Sequence, residues 1–225
     1  MASKHPLLRV ASSNAGKIAE FRLAMLWCRG EPKGEGEPGT APRGRQAADW
    51  VVEALPGIEA LPECVEDGDT FSANARKKAL HYSRLTSCFT GGLVLGDDSG
   101  LEVDALGGSP GVRSRRFAGP NATDARNNAK LLDAMWDVPA SKRGAQFVCV
   151  LALAQAGEVV AEFTGVARGL LLEAPRGENG FGYDPLFLDP DCNKTFAELE
   201  PEEKLERSHR GKALRAMFEW LERYS

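Results

Sequence analysis

Leu93-Val94-Leu95-Gly96-Asp97-Asp98-Ser99-Gly100 sets a short run of strand-forming apolar residues directly against two adjacent carboxylates. Such a strand belongs in an open α/β sheet, where ligand chemistry gathers at strand ends. Two Asp residues before a Ser-Gly turn could hold a hard cation or a water. An ordinary polar turn with Asp at its bend is the alternative reading. Downstream, Leu101-Glu102-Val103-Asp104-Ala105-Leu106 alternates, and Gly107-Gly108-Ser109-Pro110-Gly111 makes a second tight turn. Three glycines in five residues point to backbone drawn close to another group.

Towards the N-terminus, Leu7 to Ala11 reads as a strand, Ser12 to Lys17 as a small-residue loop, and Ile18 to about Cys28 as a helix with Phe21, Met25 and Cys28 on one face. Strand, loop and helix start form an anion cradle, to which Lys17 adds a cation and Asn14 a donor. A structural cap would look the same, and no Gly-x4-Gly-Lys-Ser/Thr occurs here. Arg29 to Gln46 is rich in Gly, Pro, Glu, Lys and Arg and reads as a mobile surface loop. Its Gly34-Glu35-Gly36-Glu37-Pro38-Gly39 matches GxGxxG only formally, because no strand precedes it and Pro38 sits where a cofactor-binding helix should start.

Glu66-Asp67-Gly68-Asp69 makes an acidic turn, and Thr70 then caps a helix to about Leu85. Asn74 and Lys78 lie four apart on one face of it and could line a site; Arg76 and Lys77 read as solvated. Thr123 to about Asp137 reads as a structural helix with Ala125, Ala129, Leu132 and Trp136 inward. Gln146 to Gln155 and Val159 to Leu172 read as an antiparallel hairpin, which makes the sheet mixed. In Gly180-Phe181-Gly182-Tyr183-Asp184-Pro185, glycines alternate with aromatics, as a loop that brings backbone and rings against a planar ligand requires; a packed Gly-aromatic turn is the alternative. Phe196 to Leu199 reads as a short strand and Pro201 opens a brief helix carrying Lys204. Ser208 caps a last helix with Leu214, Met217, Phe218 and Leu221 on its core face. His209 and Arg210 then occupy its first turn, where cations gain nothing from the helix dipole. That placement points to a ligand or an acidic neighbour, although a lone His is also a common structural donor.

Composition narrows the function. The 225 residues are 43% hydrophobic and 27% charged, with a net charge of -4, so no basic footprint for nucleic acid exists. One domain over residues 1–225 is expected. The five cysteines lack CxxC or metal-ligand spacing and read as reduced thiols. The first apolar stretch is too short for a signal or membrane segment, so the expected location is cytoplasmic.

Six stretches in order make the chain resemble the inosine triphosphate pyrophosphatase family, hydrolases that convert non-canonical purine nucleoside triphosphates to monophosphates and pyrophosphate. They are Ser12-Ser13-Asn14-Ala15-Gly16-Lys17; Glu66-x-Gly68-x-Thr70-Phe71-x-x-Asn74-Ala75-x-x-Lys78-Ala79; Asp97-Asp98-Ser99-Gly100-Leu101; Gly107-Gly108-x-Pro110-Gly111-x-x-Ser114-x-Arg116; Gly180 to Pro185; and Lys204-x-x-x-Ser208-His209-Arg210-Gly211. Departures are local: Ser12 for the usual Thr, Ala73 for a common Glu, Arg115 for a small residue, and the 29–46 insertion. The resemblance implies an elongated, two-lobed α/β fold around a long twisted mixed β-sheet flanked by helices. It also implies Mg²⁺ dependence, a homodimer, and a small-molecule substrate such as inosine, deoxyinosine or xanthosine triphosphate.

On that resemblance Asp98 is the catalytic carboxylate and a Mg²⁺ ligand, with Asp97 and Glu66 as supporting metal ligands. Ser12, Ser13, Asn14, Ala15, Gly16, Lys17 and Lys78 hold the phosphates, with Ser99 beside them. Phe181 is the stacking ring, flanked by Gly182 and Tyr183, while Asp184, Lys204, His209 and Arg210 line the base and sugar side. Two rival readings are a pyrophosphatase for modified pyrimidine nucleotides and a nucleotide-binding module without turnover. Paired acids facing a lysine-bearing loop count against the second.

Overall fold

The computed structural model describes residues 6–29, 50–90 and 92–224, the side chains of 28, 29 and 87–90 excepted. The 29–46 insertion, with its glycine match, lies outside these residues apart from the helical backbone at Arg29, as do the side chains of Cys28 and Cys88. The elements are β1 (Leu7–Val10), α1 (Ala15–Arg29), β2 (Val51–Ala54), α2 (Phe71–Thr90), β3 (Leu93–Val103), α3 (Asp124–Ala134), β4 (Gly144–Gln155), β5 (Glu158–Leu171), β6 (Phe187–Asp189), β7 (Lys194–Thr195), α4 (Pro201–Arg207) and α5 (His209–Tyr224). They build a seven-stranded sheet in the order β2-β1-β3-β4-β5-β6-β7. β2, β1 and β3 run parallel, and every pairing from β3 to β7 is antiparallel. The sheet is therefore mixed, and helices flank it.

The Asp97-Asp98-Ser99-Gly100 stretch is not a strand tip followed by a turn. It lies in the middle of β3, paired along its length with β4: Asp97 opposes Leu151 and Asp98 opposes Val150. β1 pairs only with Leu8 to Val10 against Leu93 to Leu95, and Ala11 N–H donating to Leu95 O closes that ladder. Beyond this point the β1-side edge of β3 has lost its neighbour. The strand tip expected of an open α/β sheet is thus the carboxyl end of β1, and β3 runs past it.

Strand alternation assigns the two acids to opposite faces of the sheet. Leu93, Leu95 and Asp97 face α1 and α5, in a core with Phe21, Met25, Cys149, Leu151, Leu214 and Met217. Val94, Gly96 and Asp98 face α2, whose Phe71, Ala75 and Ala79 pack on Val148, Val150, Ala152 and Ala154. At Gly96 a Cβ would run into the carbonyl of Ala75 and sit 2.7 Å from the N of Ala79, so glycine lets this helix lie directly on the strand. A second core lies further along the same strands, built from Leu101, Val103, Ala145, Phe147, Leu171 and Phe187 with Leu131 of α3 and Met135 just after it. β5 alone, with 14 residues, extends about 45 Å and spans both cores.

Several expectations need correction. In α3 Asn127 and Leu131 are buried and Leu132 packs against the second core as expected, with Met135 buried just past the helix end; Ala125 and Ala129 are exposed, and Trp136 is 83% exposed. The helix ends at Ala134, so Trp136 falls outside its periodicity. Phe196 to Leu199 is a turn, since Glu198 Oε2 accepts from Thr195 N–H at 2.8 Å and curls the chain after β7. Gly107, Gly108 and Gly111 adopt φ of 60°, 87° and 54° with open space where a Cβ would be. They serve the left-handed turn after β3, not a close approach. The Gln146–Leu172 hairpin is as expected, closed by Ala156 and Gly157 at φ 50° and 84°. Among the described residues no helix is long and apolar enough to cross a membrane.

Candidate active site

A cleft of about 1020 Å³ opens where β1 ends and β3 continues. It is lined by Ser12, Ser13, Asn14, Lys17, Glu66, Lys78, Asp98, Ser99, Phe181, Gly182, Tyr183, Asp184, Lys204, His209 and Arg210. Of the residues singled out in the sequence, Asp97 does not line it, and neither do Ala15, Gly16 and Asn74.

The phosphate-loop candidate is built by local capping. Asn14 Oδ1 accepts from Lys17 N–H at 2.9 Å and Ser12 Oγ from Asn14 N–H at 3.1 Å, which starts α1 and aims its first turn at the cleft. Gly16 has the Phe181 ring so near that a Cβ would lie 2.7 Å from it. The cradle and the aromatic loop therefore meet across the cleft.

Asp97 and Asp98 have different chemistry because they face different neighbours. Asp97 is 1% exposed. Its Oδ1 accepts from the Lys17 ammonium, and its Oδ2 accepts from Arg210 Nε and the Cys149 thiol, each at 3.3 Å. Burial alone would raise its carboxyl, but Lys17 and Arg210 override that and hold it well below the usual carboxylate range. Both oxygens are thus committed to protein donors.

Asp98 is 7% exposed, and its partners are uncharged: Asn74 Nδ2 donates to Oδ2 at 3.0 Å and Ser99 N–H to Oδ1 at 3.1 Å. Burial pushes its carboxyl up to about 6 against the opposing pull of Asn74, Lys17 and Lys78, and the Glu66 charge adds to the rise. α2 supplies the surroundings. Asn74 is held by Gly68 N–H on its Oδ1 at 2.8 Å, and Lys78 Nζ reaches Glu66 Oε1 at 2.8 Å and the Asp97 carbonyl at 2.9 Å. The shared helical face expected for Asn74 and Lys78 is therefore the face that meets β3.

A second charged group links α1, α4 and α5. Glu20 accepts from Lys204 at 2.7 Å and from Arg210, and Lys204 also donates to Asp184 at 2.7 Å. Burial opposes the charge on Glu20, yet Arg210 and Lys204 keep it below its ordinary value; burial likewise opposes the charge on Lys204, and Asp184 and Glu20 keep it protonated. Arg210 spends Nε on Asp97, Nη1 on Glu20 and Nη2 on Ser99 Oγ. This answers its unfavourable place in the first turn of α5: the acidic neighbours are Glu20 and Asp97. His209 departs from the expectation of a cation. It is 5% exposed and stacked on Phe147 at 4.7 Å and 10°, and burial holds its imidazole well below the usual range, hence neutral. Its Nδ1 is buried and has no hydrogen-bond partner among the described residues.

Phe181 stands between these groups. Lys204 Nζ lies 4.6 Å from its ring centroid and Arg210 Cζ 5.7 Å, while Asp184 Oδ2 accepts its N–H at 2.8 Å. Tyr183 does not stack in the opening: it is buried, with its hydroxyl on the Ser114 carbonyl at 2.8 Å. Sequence reasoning missed Glu20, whose only signal is its place three residues after Lys17 on the first turns of α1. It also left Cys149 and Phe147 as ordinary strand residues, since a side chain's service to a distant helix leaves no local pattern.

The described residues contain no group of three or more His, Cys, Asp or Glu side chains arranged to hold a metal ion. Asp98 and Glu66 remain as hard oxygen donors that face the cleft and feel each other's charge. Two carboxylates suit an ion that keeps most of its water shell. Asp97 does not fit that role, because a ligand oxygen would have to leave Lys17 or Arg210.

Fold and site together define an α/β protein with a charged cleft, bearing lysine and arginine side chains, at the open end of a parallel strand, where folds of this class gather their ligand chemistry. Comparison with known proteins makes this particular. The chain belongs to the Ham1 family, whose description matches residues 8–220. It is 45% identical over 219 residues to a dITP/XTP pyrophosphatase of Acidobacterium capsulatum, covering 94% of this chain and 96% of the relative. A dITP/XTP pyrophosphatase of Syntrophobacter fumaroxidans is 53% identical over 213 residues, covering 94% and 80%. Among solved structures, a HAM1 protein from Coxiella burnetii superposes with a TM-score of 0.77 at 37% identity, covering 96% of this chain and 98% of that one.

Proposed function

We propose that this chain hydrolyses non-canonical purine nucleoside triphosphates, those of inosine, deoxyinosine and xanthosine, to the monophosphate and pyrophosphate, which clears them from the nucleotide pool. Family membership supports the reaction class. The single structural observation behind the residue roles is Asp98: a carboxyl near 6, with no ion-pair partner among the described residues, set in a cleft beside the lysine-bearing cradle. A carboxylate poised near neutral pH suits a base that orients a water and takes its proton.

In this reading Lys17, Lys78, Asn14 and the Ser12 to Gly16 segment neutralise and position the triphosphate. Asp98 and Glu66 would hold Mg²⁺, which supplies further charge neutralisation on the phosphates when bound. Asp97 is assigned a different part from the one expected of it: it fixes Lys17 and Arg210 rather than binding the ion. Phe181 stacks on the base. Lys204 and Arg210 offer N–H donors on the base side, which pair with a 6-oxo acceptor and oppose a 6-amino group. His209 adds a neutral imidazole there. We further assign the chain to one domain over residues 1–225, acting in the cytoplasm on a small molecule, and to a homodimer, which its family resemblance implies.

Pyrophosphate release from a panel of nucleoside triphosphates, with Mg²⁺ and with chelator, tests this directly. Inosine and xanthosine triphosphates should be turned over in preference to ATP, GTP and modified pyrimidine nucleotides, and chelator should stop turnover. Turnover with chelator present, or equal rates across the panel, would refute it.

A further inference from the structure

The Phe181 ring is carried by a loop with little stiffness of its own, since Gly180 and Gly182 on either side adopt φ of 78° and 65°. Two of its points are nevertheless anchored. Asp184 takes the Phe181 N–H, and α3 takes the next residue from both sides: Gly182 N–H donates to Asp124 Oδ2 at 2.7 Å, and Asn128 Nδ2 donates to the Gly182 carbonyl at 2.9 Å. Asp124 and Asn128 are four residues apart, so they stand one above the other on the same helical face. Between them, Asn127 accepts from Ala118 N–H at 2.8 Å and donates to the Arg115 carbonyl at 3.1 Å, tying the segment from Arg115 to Ala118 to α3. Asn128 keeps its Nδ2 on Gly182 even though its buried Oδ1 has no partner among the described residues. A buried polar group without a partner calls for an explanation, and the bond that the same side chain makes to Gly182 supplies one.

We propose that Asp124 and Asn128 are positioning residues for the base: by clipping the Gly182 peptide to α3 they set the direction of the Phe181 ring, and with it affinity for the purine rather than for the phosphates. The inference rests on the function proposed above.

The test uses the full-length Asp124→Ala, Asn128→Ala and Asp124→Asn variants. Three quantities are measured: KM and kcat for inosine triphosphate, the inhibition constant of inorganic triphosphate, and hydrogen exchange of the Gly180–Asp184 amides. Losing one bond to the clip should raise KM roughly tenfold with kcat changed less than about threefold. Inorganic triphosphate, which has no base, should inhibit as it does in the unaltered protein, and the loop amides should exchange faster. Asp124→Asn keeps an acceptor for Gly182 N–H and should restore KM to within about threefold. If Asp124→Ala does not fold, Asn128→Ala carries the test, since alanine is favoured inside a helix. Unchanged KM and exchange in both alanine variants would overturn the clip, as would an equal loss for inosine triphosphate and inorganic triphosphate. If the unaltered protein does not hydrolyse inosine triphosphate, the proposed function fails instead, and the exchange measurement still judges the clip.

Discussion

Replacing Asp98 by Asn should make the metal-free protein more stable at pH 8 and less stable at pH 4. Asp98 is almost fully buried, and its carboxyl is pushed up to about 6, whereas in the unfolded chain it titrates near the ordinary value of about 3.9. The folded state therefore binds the proton more tightly. Stability falls as pH rises from about 4 to about 6, by about 1.4 kcal/mol per pH unit, and is lower by about 3 kcal/mol above that window. Asparagine does not titrate and avoids this loss. Its single oxygen cannot replace both carboxylate oxygens, so its amide group opposes the Asn74 or Ser99 donor at a pH-independent cost of about 1 kcal/mol. The variant should thus be about 1 kcal/mol less stable at pH 4 and about 2 kcal/mol more stable at pH 8. For a chain of 225 residues that is a melting midpoint lower by about 2–4 °C at the acid end and higher by about 4–8 °C at the alkaline end. Melting curves with chelator across pH 4–8 measure the difference. A difference that keeps one sign and size throughout would refute the burial argument. Adding Mg²⁺ at pH 8 should raise the midpoint of the unaltered protein and leave the variant's unchanged.

Asp97→Asn should behave oppositely: removing one partner from a buried ion pair costs about 3–5 kcal/mol. Because its carboxyl lies below the ordinary range, the stability it contributes is present above about pH 3.9 and lost only in strong acid, so the melting deficit should be the same at pH 5 and pH 8; a deficit that varied over that range would count against the Lys17 and Arg210 pairing. Gly96→Ala should force α2 away from β3, lowering stability by about 1–3 kcal/mol and reducing turnover, because Asn74 and Lys78 move with the helix; an unchanged melting curve would contradict the close packing. For the enzyme itself, kcat/KM should fall below a pH near 6 as Asp98 protonates, and the midpoint of that fall should move to lower pH as Mg²⁺ is raised; a midpoint indifferent to Mg²⁺ would separate Asp98 from the ion.

The sequence by itself determined most of the elements and singled out segments that line one cleft. Apolar runs, the Asn14, Thr70, Thr123 and Ser208 caps and the Ala156-Gly157 turn act between near neighbours, so they are legible locally. The motif order also nominated Lys17, Lys78, Asp98, Phe181, Lys204, His209 and Arg210, all of which line one cleft. Only the tertiary structure decided how the charges divide. Asp97 and Asp98 look alike in the chain, and a period of two sends one to α1 and α5 and the other to α2. Their protonation then follows from partners 80 and 113 residues away in one case, and from burial beside uncharged donors in the other. Glu20 and the Asp124–Asn128 clip were invisible for the same reason. Each acts on backbone or charge contributed by a distant segment, and no spacing rule within a helix encodes what that helix will meet once the sheet has assembled.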